Sequence, residues 1–217
     1  MHRASRRRWL SKAVLGLGVI NRIAKPSVGH AVTRPEGVVS MRGAARINGK
    51  PATTGMAVRI GDEILTGPGA ELTVVFQQDA MLMRADSRVT LVPAAARGAY
   101  LLRVFSGAVL AVFQPGVPKQ VRTPTAVIGI RGTAAYVAAE RDRTYVCICY
   151  GTAHLSAVDD PLAAETVTTR HHDEPRYIYR RGMPTMMEIA PVVNHNDDEL
   201  TMLEALVGRR PPFTGKY

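Results

Sequence analysis

The feature that most constrains the fold is a spacing. From Gly37 to Ala157, short runs rich in Val, Ile, Leu and Thr recur at intervals of roughly 8–12 residues, separated by Gly, Pro, Asn and Asp. No run carries a helical period, and β-branched residues of this kind suit a pleated, half-buried surface. YLLRVFSG (100–107), AVLAVFQ (108–114), AVIGIRGTAAYVAAE (126–140), TYVCICYG (144–151) and TAHLSAV (152–158) read as separate strands. Asn48-Gly49 and Pro68-Gly69 read as turns. The pattern predicts an all-β domain, a sandwich or short solenoid of about ten to twelve short strands.

The flanks differ from this region. The formal charge of +10 first suggests nucleic acid or an acidic surface. Residues 1–31, however, hold seven of the 28 basic residues and no acid, so the rest carries 21 basic against 18 acidic residues, about +3. That distribution argues against nucleic-acid binding. The segment 1–31 reads as an export signal: a cationic start, the short apolar run AVLGLGVI (13–20), and small residues Gly29 and Ala31 at peptidase-like positions. Ser5-Arg6-Arg7-Arg8-Trp9-Leu10 has a twin-arginine pattern, with Trp9 in place of the usual Phe. No window reaches the ~18 apolar residues of a membrane span. The expected product is periplasmic and without a transmembrane segment once the signal is removed. Residues 32–158 then form the β domain and 159–217 an extension. In that extension a helix near 198–207 is capped by Asp197 or Asp198, gathers Leu200, Leu203, Leu206 and Val207 on one face, and stops at Gly208. It is expected to cover an open edge or end of the β domain.

Several motifs in the β domain resemble the FecR domain family. Ile47-Asn48-Gly49 is similar to an early turn of that family, and Gly61-Asp62-Glu63-Ile64-Leu65-Thr66-Gly67 to its Gly-Asp-x-Ile-x-Thr-Gly element. The hairpin after it has Gln78-Asp79-Ala80 where the family has an Asp-Gly turn. The most specific match is Thr123-Pro124-Thr125-Ala126-Val127-Ile128-Gly129-Ile130-Arg131-Gly132-Thr133. The resemblance implies a non-enzymatic periplasmic sensing or binding module with an envelope protein or a small ligand as partner. Its best-known members are membrane-anchored regulators that pass a signal from an outer-membrane receptor to a sigma factor. Ahead of the β domain this sequence shows only the leader, so the expectation is a stand-alone module. No His-Glu-x-x-His, Gly-x-Ser-x-Gly or phosphate-loop pattern nominates an enzyme. Strand alternation places Arg131 with Val127, Gly129 and Thr133; on a half-buried face its fork would tie to carbonyls or a carboxylate, with ligand binding the alternative.

The only cysteines, Cys147 and Cys149, share TYVCICYG. Alternation puts Tyr145, Cys147, Cys149 and Gly151 on one face, and Val146, Ile148 and Tyr150 on the other. Two residues of strand separate the Cα atoms by ~6.6–6.8 Å with parallel Cβ vectors, poor geometry for a disulfide. Two thiolates at that spacing can still share one soft ion. Supplementary ligands are at hand in Arg170-His171-His172-Asp173-Glu174, with His154 nearer in sequence. Three readings stay open: packing, ligation of a transition metal or haem by Cys147, Cys149 and His171 or His172, and a redox-active or intermolecularly bonded dithiol. The His-His-Asp-Glu run also reads as a solvated polar turn.

Overall fold

The computed structural model describes residues 34–95, 98–182 and 185–213, with the side chain of Thr133 left aside. The expected export signal, with its twin-arginine motif, lies outside the described residues. The first strands are β1 (Gly37–Arg42), β2 (Ala45–Ile47), β3 (Lys50–Pro51), β4 (Glu63–Thr66), β5 (Glu71–Phe76), β6 (Asp79–Met83) and β7 (Arg88–Pro93). Three long strands interleave with a short one: β8 (Tyr100–Val112), β9 (Lys119–Arg122), β10 (Ala126–Ala139) and β11 (Arg143–Ala157). The extension adds β12 (Ala164–Thr169), β13 (Arg176–Tyr179), β14 (Met187–Ile189) and the helix α1 (Asp197–Leu206). The all-β expectation with one short C-terminal helix holds, although the strands among the described residues number 14.

The long strands organise the architecture because each belongs to two half-sheets. In the first half-sheet, β1, β5 and β6 lead to residues 109–112 of β8, then 134–139 of β10, 144–150 of β11, β13 and β14. In the second, β3, β2, β4 and β7 lead to the first half of β8, which pairs in parallel with β9. That half-sheet continues through the first half of β10, the second half of β11, and β12. Ile64, Leu91, Leu102, Ile128 and Leu155 of the second half-sheet pack with Leu72, Met83, Val109, Val137 and Ile148 of the first in one buried cluster. This is the sandwich core.

The reading of 100–107 and 108–114, and of 144–151 and 152–158, as separate strands is corrected here. Gly107 and Gly151 sit inside continuous strands, with φ of 76° and 94°. They mark bends, as does Gly132, at φ 56° inside β10. A glycine tolerates positive φ that a side chain resists, so the chain turns a corner without leaving the ladder. Gly107 has a second reason to lack a side chain: a Cβ there would lie 2.4 Å from the Cα of Ser87. The hairpin turn is likewise moved by one residue. Gln77, at φ 59°, and Gln78 form it, and Asp79 already belongs to β6.

The outer face of the first half-sheet makes a second core. Val75, Leu82, Leu110, Tyr136, Tyr145, Cys147 and Cys149 meet Leu200, Leu203 and Val207 of the C-terminal region. The helix therefore covers a sheet face, where an edge or end was expected. Its cap is Asn196, one residue before the expected aspartates, in a capping box with Glu199. The three acidic residues of its first turn, Asp197, Asp198 and Glu199, favour the positive end of the helix dipole. Arg84 fastens that end, reaching Glu199 at 2.6 Å and the carbonyl of Asn194 at 3.0 Å. No helix among the described residues is long and apolar enough to cross a membrane.

The bend at Gly107 supports both cores. Gly107→Ala is expected to lower stability by about 2–4 kcal/mol, combining positive-φ strain with a backbone clash. Urea denaturation of the two proteins side by side would show this as a lower midpoint at unchanged slope.

Candidate functional site

Two places bring together the residues singled out by sequence. The first is an open cleft of about 850 Å³ between the bend of β10 and the loop after β8. Tyr100, Leu101, Val117 and Ile130 give it apolar walls, and Arg131 and His154 stand at its polar side. No described residue lining it is acidic. Arg131 is exposed, on the face that alternation assigned to it. The expected tie to carbonyls or a carboxylate is not made: among the described residues its guanidinium has no hydrogen bond or ion pair. The physical reason is that this face of β10, just before the bend, has no layer over it. His154 lies directly across the ladder from Gly129 and contacts Thr166 at 3.2 Å, far in the fold from the cysteine cluster.

Beneath the cleft sits a buried polar network. Lys119, almost without exposure, pairs with Asp79 at 3.3 Å and donates to the carbonyl of Gly98 at 2.6 Å. Asp79 also accepts from the Tyr100 hydroxyl at 2.7 Å and from the backbone N–H of Gln114. Burial, with the neighbouring Asp79 charge, pushes the Tyr100 hydroxyl well above its ordinary value. Each charge is saturated, so this network fixes the floor and leaves Arg131 as the cation facing open space.

The second place is where β11 meets the extension. Cys147 and Cys149 are free thiols and fully buried. Alternation fails here at one point. Ala134 pairs with Tyr150 and the next residue, Ala135, with Ile148, so Cys149 is the extra residue of a bulge. Tyr150 consequently joins Cys147 and Cys149 on the covered face, contrary to the expected split. His172 is held against this bulge by its own backbone N–H, which donates to the carbonyl of Cys149 at 2.9 Å. Its Nδ1 lies 3.4 Å from the sulfur of Cys147.

His171 does not join the thiols. Its Nε2 lies 2.9 Å from both carboxylate oxygens of Asp197, and its ring packs on Phe213 at 4.6 Å. The position expected for it is taken by His195, one residue before the helix cap. His195 stacks on Tyr136 at 4.7 Å, and its Nε2 lies 3.0 Å from His172 Nδ1. Nothing in the spacing of His195 relative to the cysteines announces this; only its place beside the capping box hinted that it would be held. Asp173 does form a polar turn, accepting from the backbone N–H of Arg170 at 2.8 Å. One donor atom from each of Cys147, Cys149, His172 and His195 falls within 4.8 Å of all the others.

The partners of the two imidazoles give each outward nitrogen its hydrogen. His195 Nδ1 faces the carbonyl of Val193 at 2.7 Å, an acceptor only, so that nitrogen carries the hydrogen. His172 Nε2 faces Asp197 Oδ1 at 3.2 Å and donates to it. Hydrogen bonds from the two histidines hold the Asp197 carboxyl below its usual value against the opposing effect of burial. His195 Nε2 and His172 Nδ1 therefore face each other and the Cys147 sulfur, where a proton on an inward nitrogen can be shared.

The thiols are driven apart in acidity. The hydrogen bond from Cys149, aided by His172 and His195 and opposed by burial, holds the Cys147 thiol far below its ordinary value. Burial and the neighbouring Cys147 charge push Cys149 up. For His172, burial works to lower the value, but the Cys147 and Asp197 charges raise it overall. An acid held low in the fold contributes stability that is complete above the unfolded thiol's value near ~8.5 and is lost as pH falls through the folded one. In metal-free protein, thiolate absorbance near ~240 nm is expected to persist well below pH ~8.5 and to vanish in Cys147→Ser. A midpoint at the ordinary thiol value in the wild type would contradict this arrangement.

Two crystal structures of a candidate anti-sigma factor from Parabacteroides distasonis ATCC 8503, at 1.65 and 2.50 Å resolution, superpose with TM-scores of 0.49 and 0.48 at 16% identity. Each superposition covers 58% of this chain and 59% of the other. No curated protein matches the sequence. The FecR family, described as FecR protein, matches residues 62–154. That span includes Arg131, Cys147 and Cys149, whereas His172 and His195 lie beyond it, in the extension. Residues 62–154 of this chain form a FecR domain.

Proposed function

We propose that this chain is an exported, non-enzymatic recognition module of the cell envelope, whose FecR domain senses a small ligand in the Arg131 cleft. The observation that carries the reading is the unpaired guanidinium of Arg131, set on a rigid strand above a saturated floor and beside apolar walls. A guanidinium in that setting binds a carboxylate or phosphate through two parallel hydrogen bonds. The walls of Tyr100, Leu101, Val117 and Ile130 favour a ligand with an apolar body. Such a site recognises without transforming: the guanidinium of Arg131 offers donors for an anion and no nucleophile. The FecR domain supports a regulatory role, and the cationic leader of residues 1–31 supports export by the twin-arginine route.

Two measurements test the reading. Replacing Arg6 and Arg7 together by Lys in tagged full-length protein is expected to shift it from the periplasmic to the cytoplasmic fraction; an unchanged distribution would remove the twin-arginine route. For the cleft, a panel of small aliphatic and aromatic carboxylates is titrated by NMR. Shifts should centre on residues 129–132 and Tyr100. Arg131→Ala should weaken binding about 10–100-fold, the loss of one charge-assisted contact, while changing stability by less than ~0.5 kcal/mol. Shifts elsewhere, or binding indifferent to Arg131, would overturn the ligand assignment.

A further inference from the structure

We propose that Cys147, Cys149, His172 and His195 form a four-coordinate site for one zinc ion, which staples the C-terminal extension onto the FecR domain. The donor set is two sulfurs and two imidazole nitrogens, all within 4.8 Å of one another. A tetrahedral zinc with Zn–S ~2.3 Å and Zn–N ~2.0–2.1 Å needs ligand-to-ligand distances of about 3.3–3.8 Å. Cys147 Sγ to His172 Nδ1 is already 3.4 Å, and His172 Nδ1 to His195 Nε2 is 3.0 Å. Side-chain adjustments of about an ångström close the remaining gaps.

The orientation of the two histidines explains why a cation belongs there. The outward nitrogen of each histidine is committed as a donor, His172 to Asp197 and His195 to the carbonyl of Val193. The two inward nitrogens converge with the electron-rich sulfur of Cys147, placed to ligate once any shared proton leaves. A single proton can bridge one pair of atoms, whereas a metal ion accepts from all four at once. The outward hydrogen bonds are also the second shell that orients metal-bound imidazole: a carboxylate behind one ring and a carbonyl behind the other. A pair of thiols buried for packing alone has no need of two oriented histidines.

The chemistry of the set selects the ion. Two thiolates and two imidazoles in tetrahedral disposition suit Zn²⁺ and disfavour magnesium, calcium and manganese, which prefer oxygen. Four protein ligands leave no open position, as in structural zinc sites. On binding, the ion replaces the Cys149 thiol proton and any proton shared by Cys147 and the histidines; these pass to solvent, and no electron is transferred.

The position of the ligands gives the ion a purpose. Cys147 and Cys149 lie within the FecR domain, His172 follows β12, and His195 directly precedes the helix cap. One ion thus ties three segments together at the end of α1 where Arg84 also holds. A ten-residue helix is marginal alone and depends on such fastening.

The test uses full-length protein purified without chelator, with metal content measured by mass spectrometry of the elements. Expected is one zinc per chain, retained through desalting. Cobalt substitution should give the intense visible bands of tetrahedral Co²⁺ together with a thiolate charge-transfer band. His195→Ala and the Cys147→Ser/Cys149→Ser pair should bind zinc at least 100-fold more weakly, Asp197→Asn about 10–100-fold more weakly, and His171→Ala nearly as the wild type. Circular dichroism of each variant verifies its fold, and the wild-type cobalt spectrum stands even where a variant fails to fold. Folded wild type that takes up no zinc, an octahedral cobalt spectrum, zinc uptake unaffected by His195→Ala, or a Cys147–Cys149 disulfide in the native protein would each overturn the proposal.

Discussion

Everything in this structure depends on how β8, β10 and β11 bend. Each passes from one half-sheet to the other at a point where the ladder is irregular: beside Gly107 in β8, between Arg131 and Ala134 in β10, and at Cys149 and Gly151 in β11. A flat sheet of this many strands would leave both faces to solvent, and twisted sheets of such size curl or split. By bending, the strands close the sandwich core of Ile64, Leu102, Ile128 and Ile148 without ending the strands. The same irregularities aim functional groups. The bulge at Cys149 turns that thiol and Tyr150 onto one face, and the bend of β10 leaves Arg131 uncovered at the mouth of a cleft.

The second core follows from the first. Once the sandwich is filled, the outer face of the first half-sheet still carries Val75, Leu82, Leu110 and Tyr136, too large an apolar surface to leave wet on a single domain. The extension covers it with Leu200, Leu203 and Val207. Burying these side chains favours docking by ~1.5–3 kcal/mol each, enough to fix a short helix that could not persist by itself. Docking carries His195 and Asp197 to the cysteines. The cluster of thiols and imidazoles is thus a product of core formation, placed where two independent segments happen to be held against the bulge.

The two candidate sites divide the labour between an open cleft and a cluster between segments of the chain. The Arg131 cleft is built within the FecR domain from a strand, a bend and a loop, and it faces solvent with one unopposed charge. The thiol–imidazole cluster joins that domain to the extension, with both cysteines fully buried and both histidines half-buried. An open cationic cleft suits recognition, and a closed four-ligand cluster suits stapling. Both hang on the same strands, because Arg131 pairs with Thr152 on β11 just beyond the stretch that holds the cysteines.

The linear sequence by itself determined the β class, the turn at Asn48-Gly49, the helix in the extension and the FecR motifs. Each of these is local: a period of two, glycines where φ turns positive, or a capping pattern followed by leucines at helical spacing. It also marked Cys147, Cys149 and either His171 or His172 as residues that could meet. It misjudged Gly107 and Gly151 as strand ends because a glycine that bends a strand and one that ends it look alike in one dimension. Only the tertiary structure decided that Cys149 occupies a bulge, that Arg131 is left without a partner, and that His195 stands where His171 was expected. Those outcomes depend on which half-sheet each strand joins and on the seat of the helix over the second core. Contacts across 23 residues or more, such as His195 with His172, come from packing and leave no periodic trace in the chain.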